Sequence, residues 1–531
     1  MKTLYRIFAI YITPLSFILI YYGNNANIVK IQDTFLSLIL ALVIASALYI
    51  ILRWITKSWE KAVISSGVFF FLFFNLDNIS RILYLYRIIP PSHNFGLFVY
   101  QKTKSITAII LAVLFILLIL FLTRNKKSSA TLFRLVILFS IGMIGIVIGA
   151  LLFPGLQRAF GPRQVSGEDF NQNWQRKLTS EASLLSSADE LPDIYYIILD
   201  GYGRDDVLQD IYNFDNGPFL NSLKNQGFIV SNKSLANYKQ TDFSLSSLLN
   251  MDYVNWIGEE IGVANDDYLP LYYILDHNRV FEQLHRIGYR IDTFTTGFQP
   301  TEFDTSDVIL KPGNYPNNFE IMIINATPLC LFWDNQLYAI HRQRILYTLQ
   351  NLAEAGEQDG PDFVFAHIAA PHPPFVFSAN GEEVNPGHPY NNMDGSNFFV
   401  LGSVDEYKSG YTNQLAFVSK QVLSAIDEIK QKSPNPPVIF IQGDHGPASE
   451  FNFDVLETSN LSERYPILYT YYNPCSNNQI PQDITPVNSF RYIFNTCFAT
   501  NLSYLENKEY YSPMSLPYQF TDVTNSLQSE R

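Results

Sequence analysis

The sequence predicts an N-terminal helical transmembrane bundle of about five spans, followed by an α/β domain with a mainly parallel central sheet. Three observations carry this. Of the 531 residues, 47% are hydrophobic and only 16% charged, which is unusually apolar for a chain that meets water throughout. Uncharged stretches long enough to cross a bilayer fall within the first 153 residues. Beyond them, short apolar runs alternate with segments of helical period, the order that builds a parallel sheet with helices on its faces.

The spans come first along the chain. Thr34 to Leu52, Ser105 to Thr123 and Leu135 to Phe153 are each 19 residues without a charge. As a helix, each covers roughly 30 Å of hydrocarbon. Ile7 to Tyr22 is a further apolar run, broken only by Pro14. Ala62 to Leu76 is shorter, and its length also suits a re-entrant or buried helix. Charge decides between those readings. The most basic loops, "RWITKSWEK" (53–61) and "RNKKSSATLFR" (124–134), belong on the cytoplasmic side. They share that side only if the 62–76 run also spans, which puts the N-terminus inside and everything after Phe153 outside. A cleaved signal peptide fits less well, because "GNNANIV" after the first run offers no clear small-residue cleavage site. A transport pathway is not written into the spans either, since Asp77, at the end of the 62–76 run, is the nearest approach to an intramembrane carboxylate.

Residues 1–153 hold 14 Lys plus Arg against 3 Asp plus Glu, whereas the rest of the chain holds 22 against 46, a net charge of −24. A domain that acidic does not grip nucleic acid through its phosphates. All three cysteines, Cys330, Cys475 and Cys497, fall in this outer part, where one disulfide is possible and Cys475 with Cys497 is the closer pair. Residues 154–191 turn polar and read as a juxtamembrane linker, which leaves 192–531 as one extracytoplasmic domain.

That domain opens with a buried strand, Ile194 to Leu199, ending in Asp200 and a glycine-containing turn. A helical stretch over 217–225 and a short strand in "GFIVSN" follow. Phe363 to Ala366 is a strand that opens into a proline-rich loop bearing His367 and His372. Between Tyr411 and Lys430, Leu415, Val418, Val422, Ile426 and Ile429 recur at helical spacing. That helix leads into "PPVIFIQGDHG", where an apolar strand stops at Asp444, His445 and Gly446. In such sheets ligands bind beyond the carboxyl ends of the strands, and Asp200, His367 and Asp444 stand there. The stretch "IMIINATPLCLFW" (321–333) reads as a buried element of the outer domain, or as a segment resting on the membrane.

Asp200, Asp444 and His445 offer two carboxylates and an imidazole, a set suited to Mn²⁺, Mg²⁺ or Zn²⁺ and not to a thiolate-loving ion. Three protein ligands leave positions open for a nucleophile and a substrate oxygen. Each residue also has a plainer reading, because an Asp after a strand commonly forms a turn or caps a helix. Thr241, in "NYKQTDFSLSSLLNM" (237–251), has two readings as well. Its hydroxyl either caps the helix that follows or acts as a nucleophile at the helix end that favours a phosphoryl anion. Glu382, Glu383 and His388 lie in a polar loop, either against substrate or in solvent.

Strand-Asp200, then Thr241 opening a helix, then "PHPPF", then "GDHG": this order resembles the alkaline phosphatase and sulfatase superfamily over residues 192 to about 450. With a membrane module ahead of it, the chain resembles the membrane-bound branch that includes lipoteichoic acid synthases and phosphoethanolamine transferases. The resemblance implies an alkaline phosphatase-like domain in which Asp200, Asp444 and His445 hold one divalent metal, Mn²⁺ ahead of Mg²⁺ or Zn²⁺. It makes Thr241 the nucleophile and a further metal ligand, and places His372 at the phosphoryl group or the leaving oxygen. His367 has no firm counterpart in the family; it reads as a core histidine bonded to a backbone carbonyl, or as a residue behind the ligands. Two departures narrow the chemistry. Family sulfatases carry Cys or Ser followed by x-Pro-x-Arg, whereas Asp242, Phe243, Ser244 and Leu245 follow Thr241 here, which argues against sulfate-ester hydrolysis by that route. Sulfatases also begin with adjacent aspartates, whereas Gly201 follows Asp200, as in transferases with one acid at this point.

The expected activity is metal-dependent transfer of a phospho-head group from a membrane-lipid donor to an envelope glycan or lipid acceptor, through a covalent threonine intermediate. The expected location is the bacterial cytoplasmic (inner) membrane, multi-pass, with the catalytic domain periplasmic. With water as acceptor the same site makes a phosphodiesterase or phosphatase. A chain that kept the fold and lost the chemistry would be a sensor or binding protein.

Overall fold

The computed structural model describes residues 2–25, 29, 31–85, 96–124, 130–152, 191–356, 360–384, 390, 393–399, 402–476 and 480–529. The chain divides into two compact units, one of Met1–Gly161 with Tyr315–Gln336 and one of Pro162–Asn314 with Leu337–Arg531. Apart from Leu191, the expected linker at 154–191 lies outside the described residues.

The first unit is helical: α1 (Lys2–Asn24), α2 (Phe35–Thr56), α3 (Trp59–Phe74), α4 (Leu76–Leu85), α5 (Gly96–Arg124) and α6 (Ala130–Leu152). By length and composition, Tyr5–Gly23, Ile31–Thr56 and Lys104–Arg124 can cross a membrane, and Thr131–Gly145 is a shorter apolar helix. The run expected at 62–76 is helical up to Phe74, in a helix of 16 residues. The unit turns large apolar side chains outward, with Trp54 at 81% and Ile109 at 65% exposure, as a lipid-facing surface requires. Its helices meet through small hydroxyls, Thr13 Oγ1 lying 2.9 Å from Ser140 Oγ and Tyr11 OH 2.8 Å from Ser46 Oγ. Asp77 pairs with Lys104 at 2.7 Å.

The apolar stretch at 321–333 sits in this helical unit. A capping box of Asn317 and Glu320 starts a helix at Asn318, and the Asn317 amide donates to the Asp33 carbonyl at 3.0 Å. Phe319 and Ile323 then pack with Phe17, Ile18, Phe70 and Phe74. Phe332, near its end, is 74% exposed.

The second unit is built on a seven-stranded sheet. Its strands are β1 (Ile194–Leu199), β2 (Ile229–Val230), β3 (Arg290–Phe294), β4 (Val308–Leu310), β5 (Asp362–Ile368), β6 (Val438–Gln442) and β7 (Tyr469–Tyr472), in the order β2-β7-β6-β1-β5-β3-β4. The five strands from β6 to β4 run parallel, while β7 is antiparallel to β6 and β2 antiparallel to β7. β1 is central and buried on both faces, which explains its unbroken apolar run. Tyr195, Ile197 and Leu199 join one core with Leu415, Val418, Val422, Ile426 and Ile429 of the helix Val404–Lys432. Ile194, Tyr196 and Ile198 join the other, with Leu245, Leu248 and Leu249 of the helix Thr241–Asn250. Cys475 and Cys497 form a disulfide, and Cys330 is a buried free thiol.

Candidate active site

Two adjacent strands deliver two of the candidate ligands at one level. β1 and β6 pair with Ile198 opposite Gln442, and on each strand an aspartate follows two residues later, Asp200 and Asp444. Neighbouring strands lie about 4.8 Å apart, so the two carboxylates are brought together by the sheet itself. Ligand atoms of Asp200, Asp444 and His445 all lie within 4.8 Å of one another, and all three residues are buried. The glycines of "GDHG" are required by backbone crowding. A Cβ on Gly443 would collide with the Tyr202 carbonyl, and one on Gly446 with the Glu463 carbonyl.

Hydrogen bonds then aim the donors. Asp444 Oδ1 accepts from the backbone N–H groups of Gly201 and His445, both at 3.0 Å. Its Oδ2 is buried without a hydrogen-bond partner among the described residues, 3.3 Å from His445 Nε2. His445 Nδ1 lies 3.0 Å from the Gly446 carbonyl. That bond needs the proton on Nδ1 and leaves the Nε2 lone pair facing the carboxylates, the tautomer a metal ligand uses. Burial and the neighbouring Arg464 lower the His445 pKa against the pull of Asp444 and Asp200, which keeps the ring neutral. Asp200 Oδ1 is likewise buried without a hydrogen-bond partner among the described residues, 3.5 Å from His445 Nε2. Burial alone would raise the Asp200 pKa, but His372, His367 and His445 hold it below the ordinary carboxylate range.

Thr241 is the first residue of its helix, with Gln240 in the capping position, so its hydroxyl is not the cap. Its Oγ1 lies 3.1 Å from His445 Nε2 instead. One turn on, the Ser244 hydroxyl donates to the Asp444 carbonyl at 2.8 Å, which ties the helix start to the strand end.

His372 is held by the same strand ends. The Asp200 N–H donates to the Ile368 carbonyl, and the His372 N–H to the Asp200 carbonyl, both at 3.0 Å. Its Nδ1 bonds the Pro373 carbonyl at 2.5 Å, and its Nε2 lies 3.7 Å from Asp394 Oδ2. Burial opposes protonation of this ring, but Asp200 and Asp394 outweigh it and raise its pKa. His367 sits within β5, one residue from its end. Among the described residues it bonds no backbone carbonyl as the core reading required: Nδ1 meets Thr301 Oγ1 at 3.1 Å, and Nε2 lies 3.2 Å from Asp200 Oδ2, which accords with the other reading, behind the ligands.

Several buried groups here escape sequence reasoning. Arg464 donates from Nη1 to Asp394 Oδ2 at 2.7 Å and to the Gly446 carbonyl at 2.9 Å, and from Nε to the Lys239 carbonyl at 2.9 Å. The Lys239 ammonium donates to the Phe453 carbonyl at 2.8 Å, and burial with Arg464 nearby lowers its pKa to about 7. Burial raises the Asp242 carboxyl to about 6. No local motif announces Asp394 or Arg464. Their only sequence sign is a charge beside an aromatic-rich segment. Glu382 and Glu383 are exposed, and His388 lies outside the described residues.

Two buried carboxylates with orphaned oxygens and a neutral imidazole aimed at them form an anionic nest that a cation completes. The donor set fits a divalent ion. The sequence profile of the sulfatase family matches residues 192–489, which include Asp200, Thr241, His372, Asp444 and His445. The chain belongs to the sulfatase family.

As a sulfatase-family enzyme of the transferase or hydrolase type, it has the fold its strand order describes. Among solved structures it is similar to the C-terminal periplasmic domain of EptC from Escherichia coli in complex with zinc, at 14% identity and a TM-score of 0.41, over 64% of this chain and 94% of that one. It is similar to the integral membrane protein lipooligosaccharide phosphoethanolamine transferase A from Neisseria meningitidis, at 10% identity and a TM-score of 0.38, over 93% and 95%. A 2-O GAG sulfatase is similar at 12% identity and a TM-score of 0.38, over 61% and 78%. No curated protein matches the chain.

Proposed function

We propose that this sulfatase-family protein is a membrane-anchored phosphotransferase that moves a phospho-head group from a lipid donor to a hydroxyl of an envelope glycan or lipid. One observation carries the reading. The Thr241 hydroxyl stands at a helix N-terminus, 3.1 Å from the nitrogen of His445 that faces Asp200 and Asp444.

Asp200, Asp444, His445 and Thr241 would hold one divalent ion, Mn²⁺ first, whose bound state lowers the hydroxyl pKa and offsets developing charge. The chain's own groups do the rest. Thr241 Oγ1 gives its proton to solvent and bonds to phosphorus as the bond from phosphorus to the lipid oxygen breaks. The helix N-terminus faces the phosphoryl oxygens, and His372 gives a proton to the departing lipid oxygen. The acceptor hydroxyl then attacks the phosphothreonine, returning a proton to His372 as Oγ1 leaves and takes a proton back from solvent. With water as acceptor the same steps make a hydrolase. Sulfate-ester hydrolysis through a formylglycine has no starting residue here, because the position is Thr241.

In this reading residues 1–153 are a five-span anchor in the bacterial inner membrane, 154–191 a linker and 192–531 the periplasmic catalytic domain. The Cys475–Cys497 disulfide supports an oxidising location. An anchor keeps the site at high effective concentration of lipid donors. The test is intact mass of the full chain in detergent after incubation with Mn²⁺ and mixed bacterial phospholipids, beside Thr241→Ala. The expected result is a metal-dependent adduct on the native chain alone, its mass naming the head group. An adduct of equal yield on Thr241→Ala would overturn the assignment of the nucleophile.

A further inference from the structure

Among the buried polar side chains of the helix Cys330–Ala355 that the steps above do not use are His341 at 5% and Arg344 at 7% exposure. Three residues apart, they share one helix face. The Arg344 guanidinium lies over Gly297, whose missing Cβ would collide with Nη1. The next residue, Phe298, sets its ring 6.3 Å from that of His367, which lies 3.2 Å from Asp200. His341 packs its ring 6.1 Å from that of Tyr390 and feels the charges of Arg344, His372 and Asp200. Its Nε2 is buried without a hydrogen-bond partner among the described residues. A polar nitrogen sealed from water and left unbonded is a net cost that an arriving ligand removes. A guanidinium one turn along the same helix face, whose charge reaches that ring as do those of His372 and Asp200, selects an oxyanion.

We propose that His341 and Arg344 form a second subsite, which binds a phosphate or carboxylate group carried by the substrate beside the phosphorus being transferred. This rests on the phosphoryl-transfer reading and names what that reading left open, a negatively charged substrate partner. The charge belongs either to the donor head group or to the acceptor, and two arms of one experiment separate them.

The full chain in lipid nanodiscs is compared with Arg344→Gln, Arg344→Lys and His341→Gln, with bound metal and melting midpoint as folding controls. The donor arm follows adduct formation from phosphatidylserine, which adds a carboxylate, against phosphatidylglycerol, which does not. The acceptor arm follows discharge of the adduct by glucose 6-phosphate against glucose. Arg344→Gln is expected to slow the anionic partner about tenfold or more in one arm, with its neutral counterpart within about twofold, the worth of a hydrogen bond to a charged group. Arg344→Lys recovers part of the loss, and His341→Gln repeats it more weakly. An equal fall for both partners marks a purely structural role and overturns the proposal, as does no change in either arm. If the native chain forms no adduct, the reaction assignment fails separately. The subsite is then decided by calorimetry with inorganic phosphate: binding by the native chain and not by Arg344→Gln supports it, and binding by both or by neither overturns it.

Discussion

In the helical unit the polar side chains taken out of water are hydroxyls, among them Thr13, Thr56, Ser80, Thr107 and Ser140; in the sheet unit they include Asp200, Asp242, Lys239, Arg344, Asp444, Glu463 and Arg464. Several of these hydroxyls are satisfied close to home, whereas Thr13 and Ser140 bond each other between helices and Thr107 Oγ1 has no hydrogen-bond partner among the described residues. Thr56 bonds the Leu52 carbonyl at 2.8 Å, and Ser80 bonds that of Leu76 at 2.6 Å. Charges in the sheet unit are met across long stretches of chain, as where Arg464 reaches Asp394, and Asp200 and Asp444 each keep one oxygen without a hydrogen-bond partner among the described residues. A buried hydroxyl on its own helix costs little, whereas a buried ion is stable only with its partner in place. The first unit is therefore a scaffold that tolerates polar change, and the second holds charges in place for chemistry.

The largest expected contrast is in activity. Thr241→Ala should cut turnover on the order of a thousandfold or more, while Ser140→Ala leaves it within about twofold; a comparable loss from both would break the division between scaffold and site. Next comes stability. Arg464→Met strands Asp394 and should cost about 3–5 kcal/mol, read as a lowered urea midpoint for the intrinsic fluorescence of the sheet unit. A change below about 1 kcal/mol would show that the ion pair is not what holds this corner.

A subtler contrast is in pH. Burial beside Arg344 and His372 depresses His341 from 6.5 to about 3. Between those values the unfolded chain binds a proton that the folded chain refuses, so the contribution is full above pH 6.5 and is lost as pH falls toward 3. The melting midpoint of the full chain should fall on acidification through this window, less steeply in His341→Phe. An unchanged slope would remove His341 from the account. The smallest effect belongs to the scaffold: Ser140→Ala, which deletes the bond to Thr13, should cost about 0.6 kcal/mol, seen as a small shift in thermal aggregation of the detergent-solubilised chain.

The same contrast governs what could be read from sequence. Asp200, Asp444 and His445 were legible because each follows an apolar strand that stops abruptly, and Thr241 because it opens a helix. Asp394 was not legible, because "NNMDGSN" looks like any solvated loop. Its burial is decided by Arg464, far away in sequence and without a motif of its own. His341 and Arg344 sit in a helix whose pattern gives no hint of which face meets the site. His367 kept two readings, core or behind the ligands, because one residue within a strand looks like core and its two polar contacts come from other segments. The stretch 321–333 announced only that it is apolar. Its place in the helical unit depends on Phe319 finding Phe17 and Phe74.

The matching offset of Asp200 and Asp444 from their paired strand residues, Ile198 and Gln442, has a consequence for how such chains diverge. One residue inserted into or deleted from either strand would turn its aspartate to the opposite side of the sheet. Length changes among related chains should therefore gather in the connections. Alignments that open a gap inside 194–200 or 438–444 would be misplaced, and those short blocks can serve as fixed points for finding distant members.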